Sequence, residues 1–218
     1  MRRVKIATGE HYHVYNRGVD KRTIFSDGRD IDRFMKSVRE FNTRTPIGSI
    51  HENRYGQAKN QPELQEPLVE FVAYCVLPNH YHFILKQVID EGIEKFMHRL
   101  SVGYSMYFNK KHTRSGSLFQ GTYKAQHIDS NEYLLHLSAY INLNNHVHKK
   151  WGGNLNFVRS SWKEYLNPMN SDITKKDIIL SQYPNSESYQ SFAFEALNNI
   201  RDRRELSQIV SIDNDLET

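Results

Sequence analysis

At 218 residues the chain is long enough for one full domain and an extension, and its single cysteine excludes an internal disulfide, which fits a reducing cytoplasm. Mean hydropathy is −0.70, no apolar run approaches the roughly 20 residues of a membrane span, and Met1–Lys5 is not followed by a signal-peptide core. The formal charge of +4 hides a segregation: 24 Lys and Arg face 15 Asp and Glu in residues 1–163, against 5 and 10 in residues 164–218. A basic body carrying most of thirteen tyrosines suits a polyanion whose bases stack on aromatic rings, and equally an ordinary solvated surface. The acidic tail would either solubilise the chain or compete with nucleic acid for the basic face.

In chain order, His11–Asn16 reads as a first strand closed by the Arg17-Gly18 turn signal. Ile31, Phe34, Val38 and Phe41 recur at helical steps and predict a helix from Asp30 to Thr43. Thr45–Pro67, rich in Gly, Pro, Asn and Gln, reads as a polar excursion between core elements. Leu68–Leu77 and His80–Lys86 follow as an antiparallel pair joined at Pro78-Asn79, with Cys75 a buried strand residue. A helix over Gly92–Lys111, a strand within Ser117–Ile128 and a helix over Asn131–Asn144 come next, the last capped by Asp129 or Ser130 with Glu132 reaching back. The fold class is α+β, helices packed on an antiparallel sheet, with a domain over residues 1–150 and an extension over 151–218. Within that extension Ser188–Asp202 reads as helix and Ile212–Thr218 as disordered.

Pro78-Asn79-His80-Tyr81-His82-Phe83-Ile84-Leu85 carries the chemistry. Side chains alternate along a strand, so His80 and His82 share one face while Tyr81, Phe83 and Leu85 share the other. Two imidazoles so placed can grip one divalent ion. The pair His146/His148 lies about 200° apart if helical and cannot chelate. His11/His13 lies on a strand but lacks the flanking turn and apolar run. On the last long helix Tyr140 and Asn144 stand one above the other, Tyr133 lies two turns earlier on nearly the same side, and Leu134, Leu137 and Ile141 form the docking stripe. So docked, the helix can hold Tyr140 and Asn144 over the histidine face.

Five segments together resemble the IS200-like single-tyrosine HUH transposases, specifically those associated with repetitive extragenic palindromes. They are His11–Phe25 with Asn16-Arg17-Gly18, Tyr74–Leu85 with Leu77-Pro78-Asn79-His80-Tyr81-His82, Tyr104–Asn109, Gly116–Lys124 with Leu118-Phe119-Gln120-Gly121, and Glu132–Asn144. The resemblance covers roughly residues 11–148; Thr45–Pro67 is longer than the family pattern, Tyr81 is more polar than its usual middle residue, and the tail matches loosely. It implies a ferredoxin-like fold with the HUH strand central, His80 and His82 as metal ligands, Asn144 as the third ligand and Tyr140 as nucleophile. Tyr133 is the reserve nucleophile; Tyr104, Tyr107 and Tyr123 are packing or base-stacking residues.

The implied reaction is cleavage and rejoining of single-stranded DNA beside a palindromic hairpin, through a 5′-phosphotyrosine and with Mg²⁺ or Mn²⁺. Arg17, Lys21, Arg22, Lys110, Lys111, Arg114 and Lys124 are the expected phosphate contacts, with Gln120 reading a base edge. The expected location is the cytoplasm of a bacterium, at the nucleoid when DNA-bound, with no membrane partner; monomer and homodimer, including a swapped tyrosine helix, both stay open. Two other readings stand beside this one. A replication-initiator or relaxase-like nickase keeps the chemistry, and a host-adopted hairpin-binding module has lost it. A structural zinc domain lacks its Cys/His quartet.

Overall fold

The computed structural model describes residues 6–50, 66–147, 157–170 and 173–199. Strands β1 (His11–Arg17), β2 (Val69–Val76), β3 (His80–Gln87), β4 (Lys124–His127) and β5 (Arg159–Ser160) form one sheet in the order β4-β1-β3-β2-β5, every pairing antiparallel. Helix α1 (Gly28–Glu40) joins β1 to β2, α2 (Gly92–Lys111) joins β3 to β4, and α3 (Asn131–Val147) follows β4. This is the ferredoxin-like β-α-β-β-α-β order with a fifth strand added, and β3 is its middle strand. Short helices α4 (Trp162–Leu166) and α5 (Asp177–Leu180) and the longer α6 (Ser186–Asn199) complete the described chain.

Period-two alternation gives the sheet two cores. Tyr81, Phe83 and Leu85 of β3 join Tyr12 and Val14 of β1 against Ile31, Phe34 and Val38 of α1 and Phe96, Leu100 and Tyr104 of α2. Phe34 meets Tyr104 edge-on at 5.0 Å between ring centroids, and Phe71 meets Phe96 likewise at 5.5 Å. Each such ring, once buried, contributes roughly 2–3 kcal/mol from area alone. The opposite face carries Ile84 of β3 with Val72, Ala73 and Cys75 of β2, covered by Leu134, Leu137, Tyr140 and Ile141 of α3 and by Tyr189, Ala193 and Ala196 of α6. A register shift between Phe71 and Ala73 turns Val72 and Ala73 to this same face, which the simple alternation of β2 does not predict.

Helix α1 starts earlier than its apolar spacing suggests. Asp27 caps it by accepting from the Asp30 amide at 3.1 Å, and the helix stops at Glu40, before Thr43. Asn42 is taken up by the neighbouring strand instead: its Oδ1 accepts from the Leu68 and Val69 amides, each at 3.0 Å. The described residues beyond Trp151 are bound into the body. Strand β5 pairs with Cys75 and Val76 of β2, and Tyr165 donates to the Val72 carbonyl at 2.9 Å. The Glu164 carboxylate accepts from Tyr74 Oη, the Ile173 and Thr174 amides and the Thr174 hydroxyl. Residues 51–65 of the polar excursion, His148, and the final stretch with Ile212–Thr218 lie outside the described residues. No helix among the described residues is long and apolar enough to cross a membrane.

The turn after β1 fixes the turn before β3. Gly18 N donates to the Asn79 carbonyl at 2.8 Å, Ile24 N to the Pro78 carbonyl at 2.7 Å, and Val19 N to the Leu118 carbonyl at 2.9 Å. A Cβ on Gly18 would fall 2.1 Å from the Arg22 carbonyl oxygen, so this close approach needs glycine. Gly18→Ala is expected to cost about 1–3 kcal/mol, read as a lower urea midpoint. An unchanged midpoint means that the turn relaxes without strain.

Candidate active site

His80 and His82 project from β3 onto the face covered by α3, with ring centroids 5.1 Å apart and planes at 90°. Both are buried, at 2% and 0% exposure. Each ring is held through Nδ1. His80 Nδ1 stands 2.7 Å from Asn79 Oδ1, which can only accept, so Nδ1 carries the proton and Nε2 the lone pair. His82 Nδ1 stands 2.9 Å from His13 Nε2, a bond between two imidazoles in which one donates and the other accepts. Tyr15, opposite His82 in the β1–β3 register, lies against both rings, tilted at 4.8 Å from His13 and stacked at 5.8 Å from His82. Lys124 Nζ lies 5.8 Å from the centroid of that tyrosine ring.

Helix α3 docks as its stripe predicts. Ser130 caps it, Oγ accepting from the Tyr133 amide at 3.2 Å. Glu132, expected to reach back to the cap, lies 3.9 Å from His136 Nε2 one turn ahead. Tyr140 is 1% exposed, in the core that holds Ile84 and Cys75, the second of these being the β2 partner of His82. Asn144 is buried one turn further on. Burial pushes the Tyr133 phenol up to about 12, with Tyr15 and Asp129 adding to the shift. Tyr133 beside Tyr15, and Tyr140 beside the neighbours of His82, turn one face of α3 toward the middle of the sheet. His80 Nε2, His82 Nε2 and Asn144 Oδ1 are all buried polar atoms. Among the described residues no group of three or more His, Cys, Asp or Glu is arranged to hold a metal.

The expected DNA contacts divide into separate groups. Arg17 pairs with His80 in the sheet register, Arg17 Nε donates to Gln120 Oε1, and Lys124 pairs with Tyr15, so these three border the histidine face. Lys110 is exposed at the end of α2. Lys111 Nζ is engaged by Asp27 and Asp30, both at 2.6 Å, and holds the Asp27 carboxyl below its ordinary range. Arg114 donates to Asn109 Oδ1 at 2.5 Å and to the Ser117 carbonyl at 3.0 Å. In the first turn Arg22 donates to the Val19 carbonyl and pairs with Asp20 at 3.3 Å, beside the half-buried Lys21.

His13 and Asn79 are the side chains that sequence reasoning did not assign to the site. His13 was visible as half of a second His-x-His pair; only the pairing of β1 with β3 brings it against His82. Burial, and then the nearby His82, hold His13 well below the ordinary histidine range. His11 is lowered too, by burial and then Lys86. Both therefore resist protonation when folded, whereas the unfolded chain takes up protons near pH 6.5. Below that pH the unfolded state binds more protons, so stability falls as pH falls. We expect the free energy of unfolding to drop by about 1 kcal/mol from His13 between pH 6.5 and 5.5, with less from the partly exposed His11, and the drop to be smaller in His13→Gln. Equal urea midpoints at pH 7.5 and 5.5 would contradict this.

Residues 51–144 match the model of the family described as Transposase IS200 like. That span contains β2, β3 with His80 and His82, α2, β4, and α3 as far as Asn144. Among solved structures, a REP-associated tyrosine transposase bound to a REP hairpin superposes with a TM-score of 0.47 at 11% identity, covering 79% of this chain and 88% of that one. No curated protein matches the chain.

Proposed function

We propose that the chain, whose residues 51–144 match the family described as Transposase IS200 like, cleaves and rejoins single-stranded DNA beside a palindromic hairpin, with Tyr140 as the nucleophile. One observation carries the reading: two buried imidazoles share a face of the middle strand with Ile84, and Tyr140 lies in the core that contains Ile84 and the His82 strand partner Cys75. The donor set suits a divalent ion, since His80 presents Nε2 as its lone-pair nitrogen and Asn144 offers a carbonyl oxygen. Bound by His80, His82 and Asn144, Mg²⁺ or Mn²⁺ would supply charge withdrawal from a scissile phosphate.

The Tyr140 phenol oxygen forms the new bond to phosphorus as the bond to the 3′ oxygen breaks. The products are a 5′-phosphotyrosine and a free 3′-hydroxyl, the proton given up by the phenol being matched by the one the leaving 3′ oxygen takes up. Reversal by a 3′-hydroxyl rejoins a strand without ATP. Burial holds the Tyr133 phenol at about 12, above the ordinary value near 10. Arg17, Gln120 and Lys124 hold the strand against the histidine face, with Lys21, Arg22 and Lys110 as outlying phosphate contacts, so affinity falls steeply with salt. The protein works in the cytoplasm, at the nucleoid when bound.

The near-complete burial of His82, Tyr140 and Asn144 favours one second reading, a hairpin-binding module without turnover. A single experiment separates the two. Wild-type protein is incubated with Mn²⁺ and end-labelled hairpins carrying single-stranded flanks, and the products are run under denaturing conditions. A protein–DNA adduct abolished by chelator supports cleavage; tight hairpin binding with no adduct on any flank supports the binding module.

A further inference from the structure

We infer that His13 is a positioning residue: its Nε2 accepts a hydrogen bond from His82 Nδ1–H and so fixes His82 in the tautomer whose Nε2 lone pair can bind a metal. This inference rests on the metal reading above. Its basis is the 2.9 Å contact between the two nitrogens, made by a side chain on β1 that is itself fully buried.

A histidine that ligates through Nε2 needs its proton on Nδ1, and a partner for that proton holds the ring angle. His80 obtains both from Asn79, one residue away in the turn. His82 lies inside the strand, and its Nδ1 is served from across the sheet. His13 sits opposite Ile84 while Tyr15 sits opposite His82, so His13 reaches the ring diagonally, within one face. The two imidazoles lie 5.2 Å apart at 23°, nearly parallel, and the Tyr15 ring stacks on His82 and leans against His13. The three rings therefore restrain one another, and His82 cannot turn over without disturbing the stack. The two site histidines thus receive the same service from different kinds of partner: an amide in the turn for one, an imidazole on the adjacent strand for the other.

The alternative is that His13 and His82 are only a buried polar pair in the core. That pair would be satisfied with the proton on either ring. Two measurements distinguish the cases. In wild-type protein without metal, nitrogen-15 NMR is expected to show His82 protonated at Nδ1, with a scalar coupling across the hydrogen bond to His13 Nε2. A His82 protonated at Nε2 overturns the inference, and this measurement needs no variant. Mn²⁺ affinity, followed by electron paramagnetic resonance of the free ion, is expected to fall about 10- to 100-fold in His13→Ala. In His13→Gln, whose amide oxygen can accept the same proton, most of that loss should be recovered.

Wild-type affinity in His13→Ala, with wild type itself binding, overturns only this inference. Equal loss in both variants with an unchanged His82 tautomer makes His13 a ligand and also overturns it. Failure of wild type to bind Mn²⁺ overturns the metal reading, and this inference with it.

Discussion

Tyr140→Phe is expected to give no denaturant-resistant adduct with a flanked hairpin, a loss of at least about a thousandfold, while Tyr133→Phe keeps the adduct within a few-fold. The substitution removes one oxygen and leaves the ring in the core shared with Cys75 and Ile84. The fold should therefore stand, with stability changed by about 1 kcal/mol. Hairpin binding measured beside the adduct separates lost chemistry from lost structure. An adduct that persists in Tyr140→Phe and vanishes in Tyr133→Phe moves the nucleophile two turns along the helix.

The second large effect concerns Lys111. Asp30 is fully buried and is held by Lys111 Nζ at 2.6 Å, His112 Nε2 at 2.9 Å and the Ser26 amide at 2.8 Å. This cluster ties the start of α1 to the end of α2. Lys111→Met removes the ammonium and leaves a buried carboxylate short of its main counter-charge, so we expect a loss of about 3 kcal/mol in stability. Hairpin affinity of the folded variant should stay within about twofold. If stability is unchanged while affinity drops and its salt dependence weakens by one phosphate contact, Lys111 is a DNA ligand after all.

What the sequence discloses is mostly local. His80–Gln87 announces itself because its apolar residues alternate with the histidines, and α2 was readable to its ends because Ile93, Phe96, Leu100 and Tyr104 keep one helical face. The docking stripe of α3 was legible for the same reason. Distant pairings were not. The register that brings His13 to His82, the turn contact of Gly18 with Asn79, and the pairing of Asp30 with Lys111 join residues far apart in the chain. No local spacing encodes them. Lys111, at the end of its helix, therefore read as one of several phosphate contacts. The region after Trp151 was opaque for a further reason. Its strand has two residues, α4 and α5 are too short to show a period, and what binds them is polar: Glu164 to Tyr74 and Thr174, Ser161 to Asn142.

That polar binding limits how the molecule can be divided. Tyr189 Oη meets Ser138 Oγ and Asn142 Nδ2, each at 3.0 Å, so α6 braces the tyrosine-bearing helix from behind. Along the rim of β2, Cys75 and Val76 are paired by β5, and the Phe71 carbonyl accepts from the Lys175 amide. A fragment ending at residue 150 would lose both supports, leaving an unsatisfied backbone ladder at the sheet margin and bare apolar surface beside it, a combination that invites self-association. The smallest stable piece of this protein therefore extends well past Asn144, and trimming to the family-matched span would yield an aggregate.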